Sequence, residues 1–494
     1  MKNKIKMQKL HISIIIIGTI FIALGAFHSN IWFDEAYTVG MVERTFSEIW
    51  TIGGNDVHPV LYYWILRFVS LIAAAWGITS TAAKIIIYRI FSILPLSILG
   101  SLGYTHIRKD FGEKAGMIFS FLVFFLPESA IFAQEIRMYS LAILAVTVLA
   151  IYAYRLRLPE NSNRKNWLIF FTASIASIFL HYYGLMAAGI INIFLLIYLI
   201  KTKRGKDIVA ICTFGLIQLV SYIPWIIYFV GQLKHVSKGF WIGFTFPNTI
   251  IEIAAGQFIG NLNYYVGFAA AIILYTYLII KAIKNKLNNL PVILAVTIYL
   301  LVIIAAIIMT LVLDTSIIVY RYLFVITGLY IFAISFILSK EENVKIILGI
   351  CAVIAILGIA SNVKLIQAGY DRSNFKQIEY LQQNIQPEDK IVYKEQQEGS
   401  TFAVYFPENK QYFYNPEDWG VGEAYKAFGS NFATCIDINF ITELNGRIWL
   451  IDKWDKPLYN ELFNNGNYQI ISEQQFNTKY HNYEMNIILI EKIK

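Results

Sequence analysis

The feature that most restricts this chain is a series of apolar runs of about 18 residues or more, each long enough to cross a hydrocarbon core of about 30 Å as a helix. They recur along the first three-quarters of its 494 residues. Lipid offers backbone N–H and C=O groups no partner, so open sheets and loops are excluded there and a helical bundle remains. Composition agrees: the chain is 57% hydrophobic and 15% charged, where soluble domains are about a quarter charged. The runs predict about eleven spans, at roughly 10–28, 85–105, 115–133, 138–156, 166–181, 184–200, 208–230, 264–281, 291–313, 322–339 and 344–361.

The net charge of +8 hides a split: residues 362–494 carry −5 and residues 1–361 carry +13. The excess sits in short loops between alternate spans. They hold Arg108, Lys109 and Lys114; Arg155, Arg157, Arg164 and Lys165; Lys201, Lys203, Arg204 and Lys206; Lys281, Lys284 and Lys286; and Lys340 and Lys345. By the positive-inside rule these loops and the Lys-rich N-terminus are cytoplasmic. No basic stripe lies on a soluble element, which argues against nucleic-acid binding. Cys212, Cys351 and Cys435 are scattered and form neither a disulfide framework nor a metal-ligand spacing. The first span follows Lys2, Lys4, Lys6 and Lys9 without a small-residue cleavage pattern, so it reads as an uncleaved helix.

Loops 29–84, 134–137, 181–183, 231–263 and 314–321 then face outward, poor in Lys and Arg yet rich in other polar residues. Segment 60–77 is apolar enough to span, apart from Arg67. If it spanned, every later loop would change side. It is read as an interfacial or re-entrant helix, with Tyr62, Tyr63 and Trp64 at the headgroup level. A span there would raise the count to twelve or thirteen. The membrane domain is residues 1–361. From about residue 371 a soluble α/β domain follows to residue 494, on the outer side. Asn374–Gln383 reads as an amphipathic helix with Phe375, Ile378 and Leu381 on one face. Lys390–Tyr393, Arg447–Asp452 and Ile487–Ile490 read as strands. This domain shows no Gly-rich phosphate loop and no Ser/His/Asp set, and reads as a structural or acceptor-guiding cap.

Candidate chemistry lies in the outward loops. The first opens Ile31-Trp32-Phe33-Asp34-Glu35-Ala36-Tyr37, with two adjacent carboxylates just past a span. On a helix start they point in different directions, so one can take a proton while the other binds a hydroxyl or a cation. The alternative is a helix start with Asp34 as N-cap and Glu35 in the first turn. Further on, His58 precedes Pro59 and is held extended; it is either a phosphate or hydroxyl contact or an ordinary interfacial residue. Ala133-Gln134-Glu135-Ile136-Arg137-Met138-Tyr139 places a guanidinium at the outer surface, shaped for a phosphate. Its alternative is a headgroup-snorkelling anchor. Asp314 with Tyr320-Arg321-Tyr322, and His181-Tyr182-Tyr183-Gly184, add to the same face.

These motifs resemble the bacterial branch of the protein mannosyltransferase-like glycosyltransferases, of multispan GT-C fold, related to the aminoarabinose–lipid A transferases. The resemblance covers about residues 10–200. It rests on Asp34-Glu35 after the first span, the His58–Tyr63 stretch, Arg89 near the start of the next span, and Glu135-x-Arg137-x-Tyr139, with Arg321-Tyr322 a looser match. Val60 stands where the family more often has a second proline. The resemblance implies transfer of a sugar from a polyprenyl-phosphate donor to a protein, glycan, cell-wall polymer or lipid acceptor at the outer face. It implies Asp34 as general base and Arg137 as a donor-phosphate contact, with Glu35, His58, Tyr62, Glu135, Tyr139, Arg321 and Tyr322 as substrate-binding candidates. A metal is not demanded, although Glu35 with Asp56 or His58 offers a possible one. Two rivals are a transporter or flippase of a lipid-linked glycan, and a ligase or polymerase using a diphosphate-linked donor. A third is a scaffold acting through its tail. Transporters place polar residues near the midplane of broken helices, whereas here they cluster at the outer ends.

Sidedness is testable in a background lacking the three native cysteines. Asp314→Cys should react with a membrane-impermeant maleimide on intact cells, and Lys203→Cys only after permeabilisation. The reverse pattern would invert every assignment above.

Overall fold

The structure, a computed structural model, describes residues 2–237, 242–284, 289–465 and 468–493. Lys286 of the basic loops and residues 238–241 of the outward loop 231–263 lie outside the described residues. The first helices are α1 (Lys2–Ala23), α2 (Phe33–Met41), α3 (Phe46–Gly54), α4 (Leu61–Ala75) and α5 (Thr81–Leu102). Then come α6 (Glu113–Phe125), α7 (Ser129–Gln134), α8 (Tyr139–Leu156), α9 (Arg164–Leu180) and α10 (Tyr182–Lys201). The remaining apolar helices are α11 (Gly205–Val236), α12 (Asn248–Ile259), α13 (Tyr264–Lys284), α14 (Leu290–Leu313), α15 (Thr327–Ser339) and α16 (Val344–Gly369). Among the described residues nine helical stretches are long and apolar enough to cross a membrane. The other two expected spans fall on the pair α6–α7 and on α9, which has 17 residues. The chain is a multispan helical membrane protein with a C-terminal α/β domain.

Its residues divide into two compact units. One is Met1–Leu24 with Arg89–Lys364, and the other is Gly25–Tyr88 with Leu365–Lys494.

In the first unit the expected continuous span 115–133 is broken. Leu126 is extended (φ −61°, ψ 141°) because Pro127 follows it, and α6 stops there. The break leaves backbone groups that lipid cannot satisfy, and side chains from distant helices take them. Ser361 Oγ donates to Pro127 O at 2.8 Å, and Asn261 N donates to Ser361 Oγ at 3.0 Å. Gln134 Nε2 donates to Ile22 O at 2.9 Å, and Asn362 Nδ2 to Phe21 O at 2.8 Å. The basic loops carry their own acids: Arg155 is forked onto Asp110 at 2.8 and 3.2 Å. Arg204 pairs with Asp207 at 2.6 Å.

The second unit joins the first outward loop to the C-terminal domain. That domain holds α17 (Lys376–Asn384), α18 (Gln396–Tyr405), α19 (Pro457–Asn465) and six strands. These are β1 (Lys390–Tyr393), β2 (Lys410–Tyr414), β3 (Phe432–Cys435), β4 (Arg447–Asp452), β5 (Tyr468–Asn477) and β6 (Glu484–Lys492). The sheet runs β3-β2-β1-β4-β6-β5. β1 pairs in parallel with β2 and β4, β2 with β3, and the hairpin β5–β6 is added antiparallel to β4. Ile448, Trp449, Leu450 and Ile451 are buried on both faces, as central parallel strands are. The three expected strands and the helix α17 are all present, with Ile378 and Leu381 buried on its inner face.

Helix α4 has 15 residues, about 22 Å at 1.5 Å per residue and shorter than a hydrocarbon core. The headgroup assignment of Tyr62 and Tyr63 is corrected: both are fully buried within this unit. The exposed stripe is Phe68, Leu71, Ile72 and Trp76, spaced to share one face, so this face and not the tyrosines is the amphipathic surface. At the end of α2, Glu43 accepts from Ser70 Oγ, Tyr88 OH and Lys84 Nζ, each at 3.0 Å. It ties α2 to α4 and the start of α5.

Gly40 lets α2 lie against the backbone of the C-terminal domain. A Cβ there would stand 2.4 Å from Ala427 O and 2.8 Å from Phe428 O. Gly40→Val should therefore destabilise the second unit by about 1–3 kcal/mol, the usual range for overpacking. It should lower the midpoint of thermal unfolding followed in detergent, while Gly215→Ala, in open space, should not.

Candidate functional site

The two acids after the first span sit in the first turn of α2, whose N-cap is Trp32 with no side-chain cap hydrogen bond. Asp34 is thus not the N-cap. Backbone geometry places the cap two residues earlier, and both carboxylates gain from the helix N-terminus without closing it. They diverge as adjacent helical residues must. Glu35 is fully buried, while Asp34 is half-exposed. Tyr480 OH donates to Glu35 Oε2 at 3.2 Å.

The C-terminal domain supplies most of the surroundings of α2 within this unit. Tyr483 OH accepts from Phe33 N at 3.3 Å. Trp32 stacks on His481 at 4.6 Å, and Phe33 and Tyr37 pack on Phe428 at 5.5 and 5.6 Å. Asn30 Nδ2 donates to Gly369 O at 2.8 Å, Tyr405 OH donates to Ser29 O, and Arg44 to Lys426 O. Burial, then the nearby Asp56 and Asp34, push the Tyr425 phenol far above its usual range. Burial does the same to Tyr483, with Glu398, Asp34 and Glu35 adding to it and the Phe33 N–H opposing. Both phenols stay neutral beside the acids and keep an O–H to donate. His58 is buried, as are Tyr62 and Tyr63, whose rings meet at 6.1 Å with Tyr37 at a like distance from Tyr63.

Sequence reasoning did not find Tyr425, Tyr480, His481 and Tyr483. The available signal was the run Tyr480-His481-Asn482-Tyr483 between two strand-like stretches. His481 and Asn482 take positive φ (60° and 53°), which turns the β5–β6 hairpin and presents the aromatic rings.

In the first unit three sequence motifs converge. His181 ends α9 and opens α10, and its ring is ringed by Tyr322 at 4.9 Å, Tyr183 at 5.7 Å and Tyr139 at 5.9 Å. Arg137 and Arg321 both act on His181 electrostatically, and with Glu135 and Tyr322 they act on Tyr139. Arg137 is only 4% exposed, which a headgroup-snorkelling anchor would not be. Glu135 is buried beside it, and the Arg137 N–H closes a tight turn onto Glu135 O at 2.7 Å. Gln134 turns away from this cluster into the helix brace, and Arg89, fully buried, donates to the Gln134 carbonyl at 3.2 Å. Asp314 is not brought to the cluster: it is an exposed αL cap of α14 (φ 53°), its N–H on Thr310 O. Among the described residues no group of three or more His, Cys, Asp or Glu is placed to hold a metal ion.

No protein-family model matches the chain. No curated protein matches it either. Among solved structures, it is similar to a crystal structure of ArnT from Cupriavidus metallidurans bound to undecaprenyl phosphate. That match has a TM-score of 0.59 and 13% identity over 97% of each chain. The apo form of the same protein matches with a TM-score of 0.49 and 12% identity over the same shares. The similarity to the first gives the fold, which is ArnT-like along nearly the whole chain.

The Tyr480–Glu35 bond can be weighed by a double-mutant cycle. Tyr480→Phe should cost about 1–3 kcal/mol of stability, since it leaves a buried acceptor short of a donor. In a Glu35→Gln background the same change should cost less. Equal costs in both backgrounds would show that the two groups are not coupled.

Proposed function

We propose that this chain is a glycosyltransferase of the cell membrane, moving a sugar from a polyprenyl-phosphate donor to an acceptor on the outer face. One observation carries the reading: a buried histidine ringed by tyrosines lies within electrostatic range of two guanidiniums, Arg137 and Arg321. Concentrated positive charge of this kind is suited to a phosphate. The shared fold supports it, since the ArnT of that structure was bound to undecaprenyl phosphate. The orientation that follows is a cytoplasmic N-terminus and an extracytoplasmic C-terminal domain.

In this reading Asp34 is the general base. The acceptor hydroxyl loses its proton as its oxygen attacks the anomeric carbon, so a carboxylate within about 3 Å is required. Asp34 has the exposure for that role, and buried Glu35 does not. The bond from the anomeric carbon to the donor oxygen breaks, and its electron pair leaves on the phosphate. The leaving group is already anionic and needs compensating charge more than a proton. Arg137 supplies it, with Arg321 beside it. Glu135, Tyr139 and Tyr322 shape the same surroundings, and Glu35, His58 and Tyr62 bind substrate or hold α2 in place. Direct displacement inverts the anomeric centre and needs no second carboxylate nucleophile, unlike a retaining glycosidase. The chemistry demands no metal. The acceptor class stays open between protein, glycan and lipid.

Membranes holding the full chain, given a panel of polyprenyl-monophosphate sugars, should consume one of them and leave diphosphate-linked sugars untouched. Asp34→Asn should remove transfer, by roughly 10²-fold or more for loss of a general base, with the protein still folded in the membrane. Arg137→Ala should impair donor use, and Arg137→Lys should restore it only in part, because an ammonium cannot fork onto a phosphate. Wild-type turnover by Asp34→Asn would remove the base assignment.

A further inference from the structure

The first unit contains a cavity that the proposed reaction does not use. It has a volume of about 350 Å³ and is lined by parts of α8, α10, α14 and α15 with Ile107 and Phe111. Most of its wall is hydrocarbon: Ala150, Ala153, Phe194, Leu294 and Phe332 are representative. It begins near Thr147 in the middle of α8 and Gly328 at the start of α15 and runs to Arg157 and Lys201, just past the end of α8 and at the last residue of α10.

Arg157 is the feature that gives this cavity a ligand. Its guanidinium lies over Tyr154 at 4.8 Å and over Tyr198 at 5.8 Å, and both rings line the cavity. Its Nε is buried and donates to no acceptor. Two neighbouring arginines are paired, Arg155 with Asp110 and Arg204 with Asp207. Among the described residues neither Arg157 nor Lys201 has a carboxylate in ion-pair reach. A buried donor left without an acceptor is destabilising unless something supplies one. The site therefore pairs an apolar slot with two cations at one end, complementary to an amphiphile with a negative head.

We infer that this cavity binds a glycerophospholipid with an anionic headgroup, one acyl chain in the slot and its phosphate on Arg157 and Lys201. The lipid belongs to the leaflet at the basic end of the bundle. The sugar donor is assigned to the other end: α8 starts at Tyr139, beside Arg137, and its 18 residues carry the chain about 27 Å away before Arg157. Helix α10 repeats this polarity, with His181 before its first residue and Lys201 its last. The bound phospholipid fills the space between four spans and compensates a guanidinium that, among the described residues, has no acid in ion-pair reach. The inference is independent of the glycosyltransferase reading, and its test involves no transfer.

Native mass spectrometry of the delipidated full chain in mild detergent, with phosphatidylglycerol or phosphatidylcholine of identical acyl chains added, tests it. The wild type should retain phosphatidylglycerol at least about tenfold better, a difference of roughly 1.4 kcal/mol. Arg157→Gln should bring the two lipids within about twofold. Ala150→Phe, and separately Ala153→Leu, should reduce retention of phosphatidylglycerol by filling the slot. Lys165→Gln, an exposed basic residue outside the cavity, should change nothing. Equal retention of both lipids by the wild type, unchanged selectivity in Arg157→Gln, or an equal loss in Lys165→Gln would overturn the site. Displacement of phosphatidylglycerol by equimolar undecaprenyl phosphate would overturn it too, giving the slot to the donor's tail.

Discussion

A helix interrupted inside hydrocarbon must find partners for its own backbone, and this requirement organises the membrane half of the protein. Pro127 stops α6 at Phe125, and thirteen residues pass before α8 begins at Tyr139. Ser361 and Arg89 meet carbonyls at that interruption, and Gln134 and Asn362 meet those at the end of α1. Because those polar side chains hold the break, Glu135 and Arg137 can leave helical geometry and still sit in fixed positions. The polar residues of this face thus fall into two groups, one satisfying the backbone and the other gathered around His181.

The second unit shows a different solution to the same problem of fixing a short element. Helix α2 has nine residues, too few to be stable alone. It is held by the Glu43 cluster at one end and by aromatic side chains of the C-terminal domain along its length. The α/β domain is the wall against which the carboxylates are oriented, and its sheet has the size and pairing to be rigid. Its helix α18 follows β1 and packs on α2.

Periodicity and charge made the spans legible, because length, apolarity and the Lys/Arg bias are each set by the bilayer. The strands at 390–393, 447–452 and 487–490 were legible for a related reason: central strands are continuous apolar runs. β2, β3 and β5 were not, since Lys410–Tyr414 and Tyr468–Asn477 mix polar residues into edge or one-sided positions. Single polar residues were read least well. Gln134 and Arg137 are three apart in sequence and look equally out of place, yet one braces helix ends and the other joins the His181 cluster. Asp314 carries the same charge as Asp34 and ends a helix as its αL cap. Which of these a residue does depends on partners far from it in the chain, as Ile22 is from Gln134, and composition carries no record of them. Tyr62 looked like a headgroup anchor for the same reason, since an aromatic at the right depth looks alike whether it faces lipid or protein.

The buried acid on α2 and its phenol partner are 445 residues apart. At a ribosomal pace of about 5–20 residues per second, Glu35 is made roughly 20–90 s before Tyr480 exists. For that interval the segment 25–88 is a loop whose fold awaits the β5–β6 hairpin. Its maturation is therefore late: a chain cut short anywhere before that hairpin leaves a carboxylate and several tyrosines without the neighbours they were shaped for.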